Sequence, residues 1–243
     1  MASTSETGHA KNVANFQNLI AFVTGYGATY NPSKSALKLT QLVALKADAD
    51  TKLADVVAKN TAYNNKVNER ITAFSGLKSF STRLVNALQT TDATPETIGN
   101  AKTFNRKMQG KKASSTQTPT DPNTPAPNTI STSQQSYDQL IQHLAGLTSV
   151  LEAEPSYTPN ETDLQVASIH AKIADLTAKN TAVATAYTSI SNSRIARNET
   201  LYTSTTSLVE TALEVKKYVK SVFGATSPQY AQVKSIEFSK PRL

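Results

Sequence analysis

Lys52-Leu-Ala-Asp-Val-Val-Ala-Lys-Asn-Thr-Ala62 occurs a second time in this 243-residue chain, as Lys172-Ile-Ala-Asp-Leu-Thr-Ala-Lys-Asn-Thr-Ala182. The copies differ only at Leu53/Ile173, Val56/Leu176 and Val57/Thr177, and the first two changes keep an apolar side chain. Such a match at a long offset is the mark of an internal duplication.

Landmarks on either side extend the match. Phe16-Gln-Asn-Leu-Ile-Ala-Phe-Val-Thr-Gly25 lines up with Tyr137-Asp-Gln-Leu-Ile-Gln-His-Leu-Ala-Gly146, and Tyr30-Asn-Pro32 with Tyr157-Thr-Pro159. Asn68-Glu-Arg-Ile71 pairs with Asn192-Ser-Arg-Ile195, Leu84-Val85 with Leu208-Val209, and Ala93-Thr-Pro95 with Thr226-Ser-Pro228. The offset is 127 residues at Tyr30/Tyr157 and 120 at Ala58/Ala178. One heptad separates the two values, a length change that returns an apolar helix face to register.

Spacing makes the repeated stretch helical. Leu39, Leu42, Lys46, Ala49, Leu53, Val56, Asn60 and Tyr63 recur at three- and four-residue steps, as do Val166, Ile169, Ile173, Leu176, Asn180, Val183, Tyr187 and Ile190. That rhythm belongs to helices packed lengthwise. A first helix is expected from about Lys11 to Thr24, closed by Gly25 and Gly27. A second spans about Ser35 to Asn64, with a break at Asn64-Asn65 and, in the other copy, at Ser189 to Ser193. Third helices follow, with Ile71, Phe74, Leu77, Leu84, Val85 and Leu88 on one buried face and a run from Ile195 to Phe223 in the duplicate. Thr91–Pro95 and Gly224–Pro228 are turns by composition. The alternation over Val233–Phe238 predicts an extended tail that docks Ile236 and Phe238.

The expected fold is therefore all-α: an elongated helical bundle of two tandem copies of a three-helix unit, pseudo-twofold. The predicted organisation is a frayed N-terminus over 1–9, one repeat over 10–110, a linker over 111–135 and a second repeat over 136–243. Pro119, Pro122, Pro125 and Pro127 among Ser, Thr, Asn and Gln give the linker its flexible, partly polyproline-II character.

Composition narrows the function. No cysteine is present, so disulfides and thiolate metal sites are excluded. Net charge is +7, but charged residues make up only 18% of the chain. A surface of uncharged polar groups resists self-association weakly. Neither a secretory signal nor a stretch approaching the ~20 apolar residues of a membrane span is visible, which predicts a cytoplasmic protein.

Four residues stand out by equivalence. Asn60 and Asn180 occupy a seam position, where an amide can set helix register. Arg70 and Arg194 are expected to open the third helices and to cap the preceding ones, with an anion clamp as the alternative. Arg106, Lys107, Lys111 and Lys112 form the densest basic run and a possible contact patch. His9, His143 and His170 lack the i, i+3 or i+4 ligand spacing of a metal site. There is no P-loop, no dinucleotide-binding glycine motif and no nucleophile elbow. No cofactor, metal, catalytic residue or small-molecule substrate is predicted.

One stretch carries a resemblance. Arg197-Asn-Glu-Thr-Leu-Tyr202, Val215-Lys-Lys-Tyr-Val-Lys-Ser-Val-Phe-Gly224 and Ser227-Pro-Gln-Tyr230, with Val233 and Phe238, resemble a group of all-helical, often internally duplicated proteins of Bacteroidetes-type bacteria. The match covers roughly residues 192–240. The group has no assigned activity, so the resemblance implies a fold and no catalytic residues. The function expected is a non-enzymatic structural or scaffold protein that self-associates into a homo-oligomer. Its alternatives are a membrane-interacting, pore-forming-like helical protein, built around Leu19–Ala28, and a weak non-specific nucleic-acid binder using the basic run.

Overall fold

A computed structural model describes residues 4–110 and 135–240, with side chains from Gly8 onward. Every regular element is helical, and no strand occurs among the described residues. The linker expected over 111–135 lies, apart from Gln135, outside them.

Helix α1 (Thr4–Gly25) starts well before Lys11. The frayed terminus expected over 1–9 is thus helical from Thr4, and His9 is buried, because partners for its imidazole exist far along the chain. After α1 the backbone turns at Gly27, at φ 58°, and then at Tyr30, whose hydroxyl donates to the Leu37 carbonyl at 2.8 Å. Tyr157 makes the same bond to the Leu164 carbonyl at 2.9 Å, again seven residues on. Each bond closes an elbow that ends in a 3-10 turn, Ser35–Leu37 or Thr162–Leu164.

From these elbows run the long helices α2 (Leu39–Phe74) and α6 (Val166–Asn198). Neither breaks where the sequence reading placed a break. Asn costs an α-helix only a few tenths of a kcal/mol more than an average residue, too little to end one against continued packing. Helix α2 ends instead at Gly76, whose φ of 75° only glycine adopts cheaply. Helix α6 passes into a π-helical turn, Glu199–Thr203, and ends in a Ser/Thr run that leaves the helix at Ser204. Ile71, expected on the buried face of a third helix, and Ile195, expected to start the matching one, therefore stay on the outer faces of α2 and α6 and are exposed.

The remaining helices are α3 (Leu77–Leu88), α4 (Pro95–Gln109), α5 (Tyr137–Glu152), α7 (Leu208–Phe223) and α8 (Pro228–Lys234). The proline-marked turns are helix starts. Thr94 and Ser227 are N-caps whose hydroxyls accept from the backbone N–H of Thr97 and Tyr230, and each is followed by a proline at the first helical position. Ser136 caps α5 in the same way through Gln139.

Two compact units result, and neither is a sequence half. One lies within Met1–Tyr63 and Ala186–Leu243, the other within Asn64–Thr185. The division expected between 10–110 and 136–243 does not describe them, since the unbroken α2 and α6 each supply residues to both. In the first unit Phe16, Leu19 and Val23 of α1 and Leu42 and Ala49 of α2 share a core with Leu208, Ala212, Val215 and Val219 of α7. Tyr63 meets Tyr187 at 5.9 Å between ring centroids, Ser193 donates to Asp55 at 2.7 Å, and Lys34 pairs with Glu214 at 2.6 Å. In the second unit Leu77, Leu84 and Leu88 of α3 and Met108 of α4 share a core with Leu144, Leu147 and Leu151 of α5 and Ile169 and Leu176 of α6. There Arg83 pairs with Asp163 at 2.6 Å. Fully burying each such leucine contributes about 1.5–3 kcal/mol, so hydrophobic burial dominates and the exposed ion pairs add little.

Candidate functional site

Two of the four residues singled out by equivalence meet in the second unit. Arg70, in the last turns of α2, donates through Nη1 to Asn180 Oδ1 at 3.0 Å, and its guanidinium carbon stands 4.1 Å from the Tyr137 ring centroid. Asn180 passes the chain on, donating to Asp138 at 2.7 Å. One turn after Arg70, Phe74 meets the edge of Tyr137 at 4.7 Å. Beside this cluster Glu69 accepts from Lys66 at 2.8 Å and from Lys179 at 3.3 Å, and those bonds hold its carboxyl below the usual carboxylate range. The result is a fastening of α2 to α5 and α6. Of the guanidinium N–H groups, Nη1 is engaged by Asn180, while Nε is buried without a hydrogen-bond partner.

The other two residues are elsewhere. Asn60 is exposed on α2, and Arg194 is exposed within α6. Neither arginine opens a helix, so the capping role expected of them is replaced by a cross-helix tie at Arg70 and a surface position at Arg194. Asn180 bonds Arg70 and Asp138 rather than Asn60. In the basic run, Arg106 bonds Thr103 on its own helix and Lys107 stands over the Phe104 ring, both exposed near the C-terminus of α4, where cations suit the helix dipole. Lys111 and Lys112 lie outside the described residues. His170 meets Glu152 at 2.7 Å on an exposed surface. His143 is buried, with Nε2 lacking a hydrogen-bond partner, and burial, then the Lys107 charge, pull its pKa below the ordinary value. Among the described residues no three His, Asp or Glu side chains converge as a metal site requires.

Sequence reading did not find the polar cluster of the first unit. The π-helical turn widens the backbone by one residue, and Leu201 and Tyr202 are both buried. His9 Nδ1 and the Tyr202 hydroxyl share a 2.6 Å hydrogen bond, and Asn12 donates to the same hydroxyl at 3.2 Å. Asn12 also grips the chain's last described stretch from both sides. Its Nδ2 donates to the Ser239 carbonyl at 2.7 Å and its Oδ1 accepts the Ser239 N–H at 3.1 Å. One turn on, Asn15 donates to the Glu237 carbonyl at 2.7 Å. Lys216 of α7 donates to the Ile236 carbonyl and stands 5.3 Å from the Phe238 ring centroid, while Lys240 pairs with Glu210. Ile236 and Phe238 rest against the core. The i, i+3 spacing of Asn12 and Asn15 was the available signal, but such a pair on a helix is ordinarily solvated.

No protein-family model, curated protein or solved structure matches the chain.

Proposed function

We propose that the chain is a non-enzymatic structural protein that self-associates through helical faces. A row of exposed aliphatic side chains on α2 carries the reading. Val43, Val57 and Ile71 are 52, 66 and 52% exposed. They follow one another at two-heptad steps. Fourteen residues rotate a straight helix by about 40° from exact register, so Val43 and Val57, both in the first unit, share one flank, and Ile71 is the exposed aliphatic side chain of α2 in the second. Single exposed valines need no explanation, but recurring ones offer apolar contact points on the outer face of a long helix, here with the polar Asp50 and Asn64 at the heptad positions between them. Tyr187 and Ile195 on α6 are exposed as well, at 59 and 55%. With charged residues at only 18% of the chain, little repulsion opposes such contacts.

The architecture is read in the same proposal as two tandem copies of one helical unit, related to the bacterial group whose C-terminal motifs it resembles. The paired elbow bonds of Tyr30 and Tyr157 and the paired Thr94-Pro95 and Ser227-Pro228 helix starts support it. No helix among the described residues is long and apolar enough to cross a membrane, which favours this reading over the pore-forming one.

Sedimentation velocity of the full chain over a concentration series tests the assignment. Assemblies above monomer mass are expected at micromolar concentration, and Val43→Lys, Val57→Lys and Ile71→Lys together should return the chain to monomer with unchanged far-UV circular dichroism. A wild-type chain that stays monomeric toward millimolar concentration overturns it.

A further inference from the structure

Positive charge gathers toward the C-terminal end of the chain. From Val215 to Leu243 six Lys and Arg stand against one acidic residue, Glu237, so these 29 residues hold five of the chain's seven net positive charges. They are spread over two helices and the stretch that follows, and so form no run in the sequence. Packing engages some of them and leaves others. Lys216 donates to the Ile236 carbonyl, and Lys240 pairs with Glu210. Glu214, the other carboxylate of α7, is taken by Lys34 at 2.6 Å. Lys217, Lys220 and Lys234 are exposed and make no ion pair among the described residues. These three lie together. Lys217 and Lys220 are one turn apart on α7. Lys220 Nζ stands 5.7 Å from the ring centroid of Tyr230 on α8, and Lys234 follows Tyr230 by four residues on the same face of that helix.

We infer that this face of α7 and α8 binds the phosphodiester backbone of nucleic acid without reading its sequence. Three uncompensated ammonium groups on one surface suit a row of phosphates, because each contact releases a condensed counterion. Sequence readout needs side chains set against base edges, and stacking needs exposed rings. Tyr230 and Phe238 are instead partly buried against the core, with Lys220 and Lys216 standing over them. A lipid surface is the poorer match. A helix that lies on a membrane inserts its apolar face, and that of α7, with Leu208, Ala212, Val215 and Val219, is already in the core. The inference does not depend on self-association, since every group in it belongs to one unit of one chain.

Fluorescence anisotropy of a labelled DNA duplex with the full chain, over a salt series, tests it. Three phosphate contacts predict a slope of about −2.7 in log K against log salt, roughly a fortyfold loss of affinity between about 50 and 200 mM. A second duplex of unrelated sequence should bind equally well. Lys217→Gln, Lys220→Gln and Lys234→Gln together should bring the slope close to zero and weaken binding at least about tenfold at the lowest salt. The matching triple change to Arg should keep both affinity and slope, with circular dichroism unchanged in either variant. A wild type that does not bind duplex at the lowest salt overturns the proposal, and sedimentation with phosphatidylserine vesicles in its place assigns the face to lipid. Binding that survives the glutamine triple overturns the choice of face, and its loss in Arg106→Gln with Lys107→Gln would move the contact to α4. Each outcome reads the same for a monomer or an oligomer, so failure of the self-association reading stays separate.

Discussion

A Cβ added at Gly146 would lie 2.3 Å from Cε1 of Phe104. The ring from α4 fills the space over α5 that any side chain at this position needs. Gly146→Ala must therefore move the ring, and a loss of about 1–3 kcal/mol is expected from thermal or urea unfolding. The sign is opposite to the usual gain of roughly 0.5–1 kcal/mol for replacing a helical glycine. Gly99 in α4 has open space around it, and Gly99→Ala should show that gain. Shortening the ring, by Phe104→Leu in the Gly146→Ala background, should recover part of the loss.

His143 sets a pH dependence. Its folded pKa is depressed below 6.5 by burial and then by Lys107, while the unfolded chain binds the proton normally. The unfolded state therefore holds more protons between the two pKa values, and stability falls as pH drops through that window. Urea midpoints at pH 7 and pH 5 should differ in the wild type, and the difference should shrink in His143→Gln. Glu69, Asp163 and Glu210 are held low by their cationic partners, so their contributions disappear only as pH falls through the carboxylate range. An unaltered pH profile in His143→Gln would remove this residue from the account.

The elbow tyrosines titrate late. Burial, then the neighbouring Glu161 and Asp163 charges, pushes the Tyr157 phenol up to about 12, and burial followed by Tyr218 raises Tyr30 as well. Stability from these groups is complete below pH 10 and is lost as pH rises through their folded pKa values. Ultraviolet titration should show a late-ionising component that shrinks in Tyr157→Phe and in Tyr30→Phe. Tyr157→Phe leaves the buried Leu164 carbonyl without its donor and should cost about 1–3 kcal/mol, and Tyr30→Phe a similar amount at Leu37.

Arg70 and Arg194 should part company under substitution. Lysine at position 70 lacks the planar fork that bonds Asn180 while stacking on Tyr137, so Arg70→Lys is expected to cost about 1–2 kcal/mol. A double-mutant cycle with Asn180→Ala should return a coupling energy of at least ~0.5 kcal/mol. Arg194→Lys, on an exposed face, should stay within ~0.5 kcal/mol. Equal effects at the two sites would contradict the distinction.

Periodicity made the helices legible, because the seven-residue spacing of the buried Leu42, Ala49 and Val56, or of Ile169, Leu176 and Val183, is that of a helix packed along one face. The docking of Ile236 and Phe238 was readable from alternation for a similar reason. Helix ends were less so. Asn64-Asn65 looks like a terminator, yet only Gly76 supplies the positive φ that ends α2. Misplacing that break also put Ile71 on a buried face, although it is exposed. The burial of His9 and Asn12 was not legible, because it depends on Tyr202 and Ser239, 190 to 227 residues away in the chain. No local pattern encodes such a partner.

Helices α1 and α7 share one core, and α3 and α5 the other, so each compact unit needs chain from both sequence halves. Residues 1–110 and 135–243 expressed as separate polypeptides put this to the most direct test, by circular dichroism and thermal melting alone and mixed. Each alone should melt without cooperativity, and the equimolar mixture should recover the helicity and cooperative transition of the intact chain. Two fragments that each melt cooperatively, and whose mixture is only their sum, would contradict the crossed assembly.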